Sequence, residues 1–408
     1  MKKNKWVVSP FFVIAVIFFL LHKIVPFVGY NTPSILNMLI LAYMYAYIIM
    51  NKGVTFVRLS SSLMILGVNF LSLVYGAYNN LFTEIFGILQ IVVCPLITLF
   101  LLQKDAKREI NLIVFSVFIA YVVTSITTII GNSVFPEASR QIAAMLNTED
   151  PALYHVYMNM NIGSLKFVYT LALLIPVLIY VFKNKIVNRV IISGTIITFV
   201  MAVFASEYTT AILFLLMGSL PIIMHKSFKF KSLLFAMILI VLLFFVFENI
   251  FSTTLLYLAD NVQSENVSER LTDLAFSIGG GNVDPNSDLA IRHELYGKSM
   301  EAFVISPIYG SLNPKIGGHS YVLDNMGSFG LIGLTMMFIM FRKIYQLFYK
   351  IYKNTSSYGY IMLVFTMAIV LSILNPQDYL IVHTMILPLT IYCLNCKLNH
   401  NESTLGCK

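Results

Sequence analysis

The sequence predicts an all-α polytopic integral membrane protein with about twelve transmembrane helices, and three observations predict it. Of its 408 residues 58% are hydrophobic and only 11% charged, with a mean hydropathy of +0.81, outside the range of a soluble globular domain. Mostly apolar runs of about 20 residues, the length that crosses a hydrocarbon core of about 30 Å, recur from end to end. The basic residues collect in alternate connections, which sets an orientation.

In chain order the spans fall at 7–28, 34–50, 59–76, 85–102, 110–130, 164–182, 190–205, 208–224, 232–251, 320–341, 358–375 and 379–396. The first follows Lys2, Lys3 and Lys5 but carries no obvious small-residue cleavage site, and more spans follow, so it is read as a span and not a cleaved leader. With the N terminus cytoplasmic, only Lys23, Arg140, Lys166, Arg270, Arg292, Lys298 and Lys315 of the 27 basic residues face outward. An even number of spans returns the C terminus to the cytoplasm. The net charge of +8 is thereby accounted for by topology, and nucleic acid is not expected as a partner. Residues 1–408 are read as a single polytopic membrane domain.

Most connections are short, but two external loops are long: 131–163 between spans five and six, and 252–319 between spans nine and ten. Function concentrates in such loops. The second is expected to be partly folded, because Ala290 to Val304 has the pattern of an amphipathic helix ending before Ser306-Pro307. On that helix Ile291, Leu295, Ser299 and Ala302 share one face, and Arg292, Tyr296 and Ser299 the adjoining one. Gly279-Gly280-Gly281 is a flexible stretch in the same loop. The four cysteines, Cys94, Cys393, Cys396 and Cys407, are too few and scattered for a disulfide framework, and Cys393 and Cys396 lack the second pair of a zinc site.

No Walker loop, no Gly-x-Gly-x-x-Gly after a strand, no His-Glu-x-x-His and no metal-holding Asp-x-Asp pair occurs. Two classes remain: a transporter or flippase, and an enzyme acting at the outer membrane face on a lipid-linked substrate. A flippase predicts charges spread through many spans. Here the internal polarity gathers at external ends and in two loops.

The block Arg292, then Ser306-Pro307-Ile308-Tyr309-Gly310, then His319-Ser320-Tyr321, then Gly327 and Gly330-Leu331-Ile332-Gly333 resembles the O-antigen polymerase and ligase superfamily. In that superfamily a long external loop carries an arginine, a Ser-Pro-x-x-Gly-like turn and a His-Ser or His-Asn pair entering a Gly-x-x-Gly helix. Arg270 and Gly281 also match an Arg, ten residues and a Gly described for polymerase loops. Tyr296 stands where a ligase loop carries leucine, so the resemblance is nearer to the Wzy-type repeat-unit polymerases.

The resemblance implies a glycosyltransferase of the bacterial inner membrane. Its donor and acceptor would be undecaprenyl-diphosphate-linked oligosaccharides of O-antigen or capsule, joined at the periplasmic face. No cofactor or metal is implied; membrane lipid, a companion flippase and a chain-length regulator are expected partners. The runner-up is the O-antigen ligase, which transfers glycan to a lipid A core. Breaking the bond to diphosphate calls for cationic donors, and arginine supplies a fixed, always charged fork. Arg292 is the first choice, with Arg270 and Arg140 binding diphosphate or glycan. His319 is the candidate general base for the acceptor hydroxyl.

Ser320, Tyr321 and Asp324 follow as substrate-binding candidates at a helix start that offers free N–H groups to an anion. Asp324 lies inside a span, where a carboxylate is costly. Glu207, in the short turn Ser206-Glu207-Tyr208, completes the set. Plainer readings stand beside these. Ser320 also fits a simple N-cap, Arg292 a solvated partner of Asp288, Asp324 a shallow interfacial position and Glu207 a turn marker.

Overall fold

The structure is a computed structural model, which describes residues 6–51, 93–136, 138–145, 151–224, 248–262, 265–278, 288–311, 313, 316–352, 358–375 and 381–394. The expected span at 59–76, the first part of that at 85–102, nearly all of that at 232–251, Gly279 to Gly281, Lys315, Cys396 and Cys407 lie outside the described residues. Within them the chain is helical, with no strand. Contacts divide it into two compact units: residues 1–206, 335–361 and 379–408, and residues 207–334 and 362–378.

The first unit opens with α1 (Pro10–Ile24), α2 (Pro26–Asn31) and α3 (Ser34–Met50). The expected span 7–28 is therefore two helices. Pro26 holds the preceding Val25 extended, at φ −98° and ψ 104°, and the helix ends there. Next come α4 (Val93–Gln103), α5 (Lys107–Val134), α6 (Ala138–Met145), α7 (Pro151–Asn159), α8 (Leu165–Lys183) and α9 (Arg189–Ala205). Helix α5 packs on α1 and α9, α8 packs on α9, and the small α6 and α7 pack together over Ala138, Ile142, Tyr157 and Ile162.

Two of these, α5 and α8, are long and apolar enough to cross a membrane. They are built oppositely. Helix α8 is apolar all round, and 78% of its most apolar 18-residue stretch is buried, as befits a helix surrounded by others. In α5 only 39% of that stretch is buried, and its buried face passes from apolar, at Ile110, Ile113, Val117 and Ala120, to polar from Thr124 onward. Thr124, Ser125, Thr128 and Asn132 are buried, while Phe115, Ile119, Val123, Ile130 and Val134 point outward. Apart from Ser125, whose hydroxyl is buried with no partner among the described residues, these inward groups are bonded. Asn161 donates to Thr124 and Thr127 at 3.1 Å each, Thr127 donates to the Asn161 carbonyl at 2.8 Å, and Thr128 accepts from the Gly163 amide at 2.8 Å. Asn132 and Ser139 exchange two bonds of 2.9 and 3.0 Å. Buried polar groups without such partners would cost about 1–3 kcal/mol each.

The second unit holds α10 (Thr209–Met224), α11 (Glu248–Asn261), α12 (Glu265–Ile278) and α13 (Asp288–Ile305). It also holds the first part of α14 (Tyr321–Tyr352) and most of α15 (Tyr358–Leu374). Helices α11 and α12 pair closely, and α12 touches α13. The expected 252–319 loop is thus largely helical among its described residues. Helix α13 ends where proline chemistry demands, just before Ser306-Pro307. The chain closes with α16 (Thr384–Leu394), entered through a π-turn at Val382–Ile386.

Candidate functional site

The motif residues of the second unit are joined by backbone hydrogen bonds. Helix α14 is broken at Gly330, whose φ of +61° and ψ of −153° interrupt the ladder. The amides released just beyond the break bond instead to the Ser306–Gly310 turn: Leu331 donates to the Pro307 carbonyl at 2.8 Å and Ile332 to the Ile308 carbonyl at 3.4 Å. Ser311 donates to the Gly327 carbonyl at 2.9 Å, and Ser328 to the Asn313 carbonyl at 2.9 Å. A Cβ at 330 would lie 2.5 Å from the Ile308 carbonyl carbon, so only glycine admits the turn this closely. Of the glycines in this segment, Gly327 lies against the Ser299 backbone and Gly330 against Ile308, while the nearest neighbour of Gly333 is Phe329 of its own helix.

Asp324 organises the other end. Its Oδ1 accepts from Ser299 of α13 at 2.7 Å, and its Oδ2 accepts from the amides of Gly318 and Ser320 at 3.0 Å each. These amides flank His319, so the carboxylate holds the loop that carries the imidazole. A Cβ at 317 would collide with Asp324 Oδ1 and Ser299 Oγ, and Gly317 sits at φ +72°. The aspartate thus has an occupant for each oxygen. Neither a shallow interfacial position nor direct contact with substrate is needed to account for it.

Much of the helix start is likewise bonded within the chain. Ser320 is buried, and its Oγ accepts from the Leu323 amide at 3.1 Å, an N-cap bond. The Tyr321 amide donates to the Asn375 carbonyl at 2.9 Å. Ser320, Tyr321 and Leu323 therefore have their amides engaged within the chain, which narrows what this helix start can offer an anion through its backbone. The loop also carries the side chains of His319 and Tyr321, both half-buried.

Arg292 lies on α13, half-buried and seven residues before Ser299. Seven residues return to nearly the same helix face about 10 Å along the axis, so Arg292 and the Asp324 anchor share one face of α13. Beside that anchor lies a groove of about 500 Å³ whose lining includes Lys298, Glu301, Ser306, Ser311 and Gly317. Lys298 is a cation that the sequence argument did not single out. It bonds Glu294 at 2.7 Å, one helical turn back, and holds that carboxyl below its ordinary range. Its signal in the sequence was the i, i+4 pairing with Glu294, which reads as surface decoration until the groove is seen.

The remaining candidates are not gathered here. Arg270 is on α12, and its side chain lies outside the description. Arg140, half-buried on α6, belongs to the first unit. Glu207 follows the α9 cap Ser206 with φ +53°, a left-handed conformation that costs a non-glycine residue about 1 kcal/mol and marks a sharp turn into α10. No group of three or more His, Cys, Asp or Glu able to hold a metal occurs among the described residues. Cys94 and Cys393 are buried thiols. Compared with known proteins, the chain matches no family model and no curated protein.

Proposed function

We propose that the chain is a multi-pass bacterial inner-membrane polymerase that joins undecaprenyl-diphosphate-linked repeat units of a polysaccharide at the periplasmic face. One observation carries the reading. The three sequence pieces that resemble the superfamily, namely the Arg292 helix, the Ser306–Gly310 turn and the His319 to Gly333 segment, are separate in the chain yet stitched into one local body. Membrane residence is supported by α5, which is long and apolar enough to cross a membrane, exposes Phe115, Ile119, Val123, Ile130 and Val134, and keeps Thr124, Ser125, Thr128 and Asn132 inside.

In this reading His319 takes the proton from the acceptor sugar hydroxyl as that oxygen attacks the anomeric carbon of the donor. The bond from that carbon to diphosphate oxygen breaks, and undecaprenyl diphosphate leaves with the electron pair. Arg292, with Lys298 at the adjoining groove, stabilises the departing charge; Arg270 and Glu207 are further contacts to diphosphate or glycan. Tyr321 offers a ring and hydroxyl to the sugar. Ser320 and Asp324 act as positioning residues, holding the His319 loop.

A deletion strain complemented with variants tests this. Loss of long chains, with a single repeat still attached to the lipid core, is expected on deletion. Loss of all attached glycan would identify a ligase instead, and cytoplasmic accumulation of lipid-linked units a flippase. Arg292→Ala and His319→Ala, inserted at wild-type levels, should each reproduce the deletion. Wild-type chain length in either would overturn that residue's role.

A further inference from the structure

The first unit contains a second cavity, larger than the groove at the candidate site and of a different chemistry. It measures about 1250 Å³ and runs along α5. Its apolar wall includes Leu112, Phe115, Ile119 and Val123 of α5, Leu178 of α8 and Ile192 of α9. One end is charged, with Asp105, Lys107, Arg108 and Glu109. From Arg108 to Val123 the α5 wall is about 22 Å long at 1.5 Å per residue, more than the roughly 15 Å of one bilayer leaflet's hydrocarbon.

Glu109 makes this more than a gap between helices. It is 0% exposed, and its Oε1 accepts from the Val7 amide at 2.6 Å and the Val8 amide at 3.3 Å, capping the chain just before α1. Its Oε2 is buried and has no hydrogen-bond partner among the described residues. A carboxylate oxygen left so is costly, and a donor from an occupant of the cavity would satisfy it. The neighbouring cations favour an anionic group: Lys107, 3.3 Å from Asp105, and Arg108, whose guanidinium lies over the Trp6 ring at 4.3 Å. A long apolar slot, two cations and one carboxylate seeking a donor describe a zwitterionic amphiphile.

We propose that this cavity is a structural lipid site for a phospholipid with an ammonium-bearing headgroup. The phosphate lies at Lys107 and Arg108, the ammonium reaches Glu109 Oε2, and an acyl chain lies along α5. A headgroup with phosphate alone would place its charge against the unsatisfied carboxylate. The site is remote in sequence from the His319 and Arg292 residues and does no chemistry. The proposal rests on the membrane reading given above.

The full chain, extracted from membranes in detergent and exchanged into equimolar phosphatidylethanolamine and phosphatidylglycerol, is analysed by native mass spectrometry. Retained phosphatidylethanolamine should exceed phosphatidylglycerol by about tenfold, the worth of one charge-assisted bond. Glu109→Gln, which keeps an acceptor for Val7 and Val8, should erase the preference while leaving lipid bound. Ile119→Trp, on the outward wall, should expel both lipids while thermal unfolding stays near wild type. Equal retention of the two lipids by the wild type, or undiminished retention by Ile119→Trp, would overturn this proposal alone. A chain that is not membrane-embedded at all would overturn the membrane reading first and this site with it.

Discussion

Asp324 and Glu109 are carboxylates of the same kind in the same kind of place, near the start of a long apolar helix, and they end up differently. Asp324 has both oxygens filled by its own chain, from Ser299, Gly318 and Ser320. Glu109 fills one, from Val7 and Val8, and leaves the other buried with no partner among the described residues. The first is a completed joint between helix and loop, the second a joint with one oxygen beside a cavity. An acidic residue in an apolar helix is therefore not by itself a sign of substrate contact. The count of satisfied oxygens separates a fastening from a ligand site.

That contrast can be broken by substitution. Asp324→Ala strips acceptors from three donors and should cost about 3 kcal/mol or more in thermal unfolding. It should also shorten polysaccharide chains as severely as His319→Ala, because the loop beneath the imidazole is released. Gly330→Ala puts a Cβ into the Ile308 carbonyl at a left-handed φ and should cost about 2–3 kcal/mol, with chain length falling alongside. Glu109→Ala removes only a cap and should cost about 1–2 kcal/mol while leaving chain length intact. If Glu109→Ala proved as damaging to chain length as Asp324→Ala, the two carboxylates would not differ in the way described.

The smallest expected effect sharpens the picture at the charged end of the cavity. Asp105 is held below its ordinary carboxyl value of 3.8 chiefly by the hydrogen bond from Tyr392, with Lys107 adding to it. A depressed carboxyl contributes stability above its unfolded value and loses it as pH falls through the lower folded one. Asp105→Asn should therefore flatten the loss of stability below about pH 4, by no more than about 0.5 kcal/mol for so exposed a group. Thermal unfolding at pH 3.5 and 7 reads the difference.

Much of the helical layout was legible, for plain reasons. Proline stopped α13 before Ser306-Pro307, and Ser320 read as a cap because its hydroxyl was the only one placed to take the third amide of the helix. The span at 7–28 misled, since its apolar content hid the backbone consequence of Pro26. Gly330 misled differently. In an apolar run Gly-x-x-Gly reads as a packing face, and nothing local announces that the glycine has left helical geometry for a turn twenty residues upstream. The partners of Asp324 were hidden for the same reason, because Ser299 lies 25 residues away and the loop amides carry no side-chain signal.

The Gly330 break bears on how the protein is made. A helix sliding into a bilayer must bring its amides already paired, since hydrocarbon offers them no substitute. The amides of Leu331 and Ile332 find their acceptors on Pro307 and Ile308, residues that leave the ribosome earlier and belong to the preceding loop. On the membrane reading proposed above, this segment and that loop are thus expected to be delivered as one piece, with the turn docked before or as the helix enters. An insertion lengthening the chain between residues 311 and 316 should act first on biogenesis, before any effect on the activity proposed above.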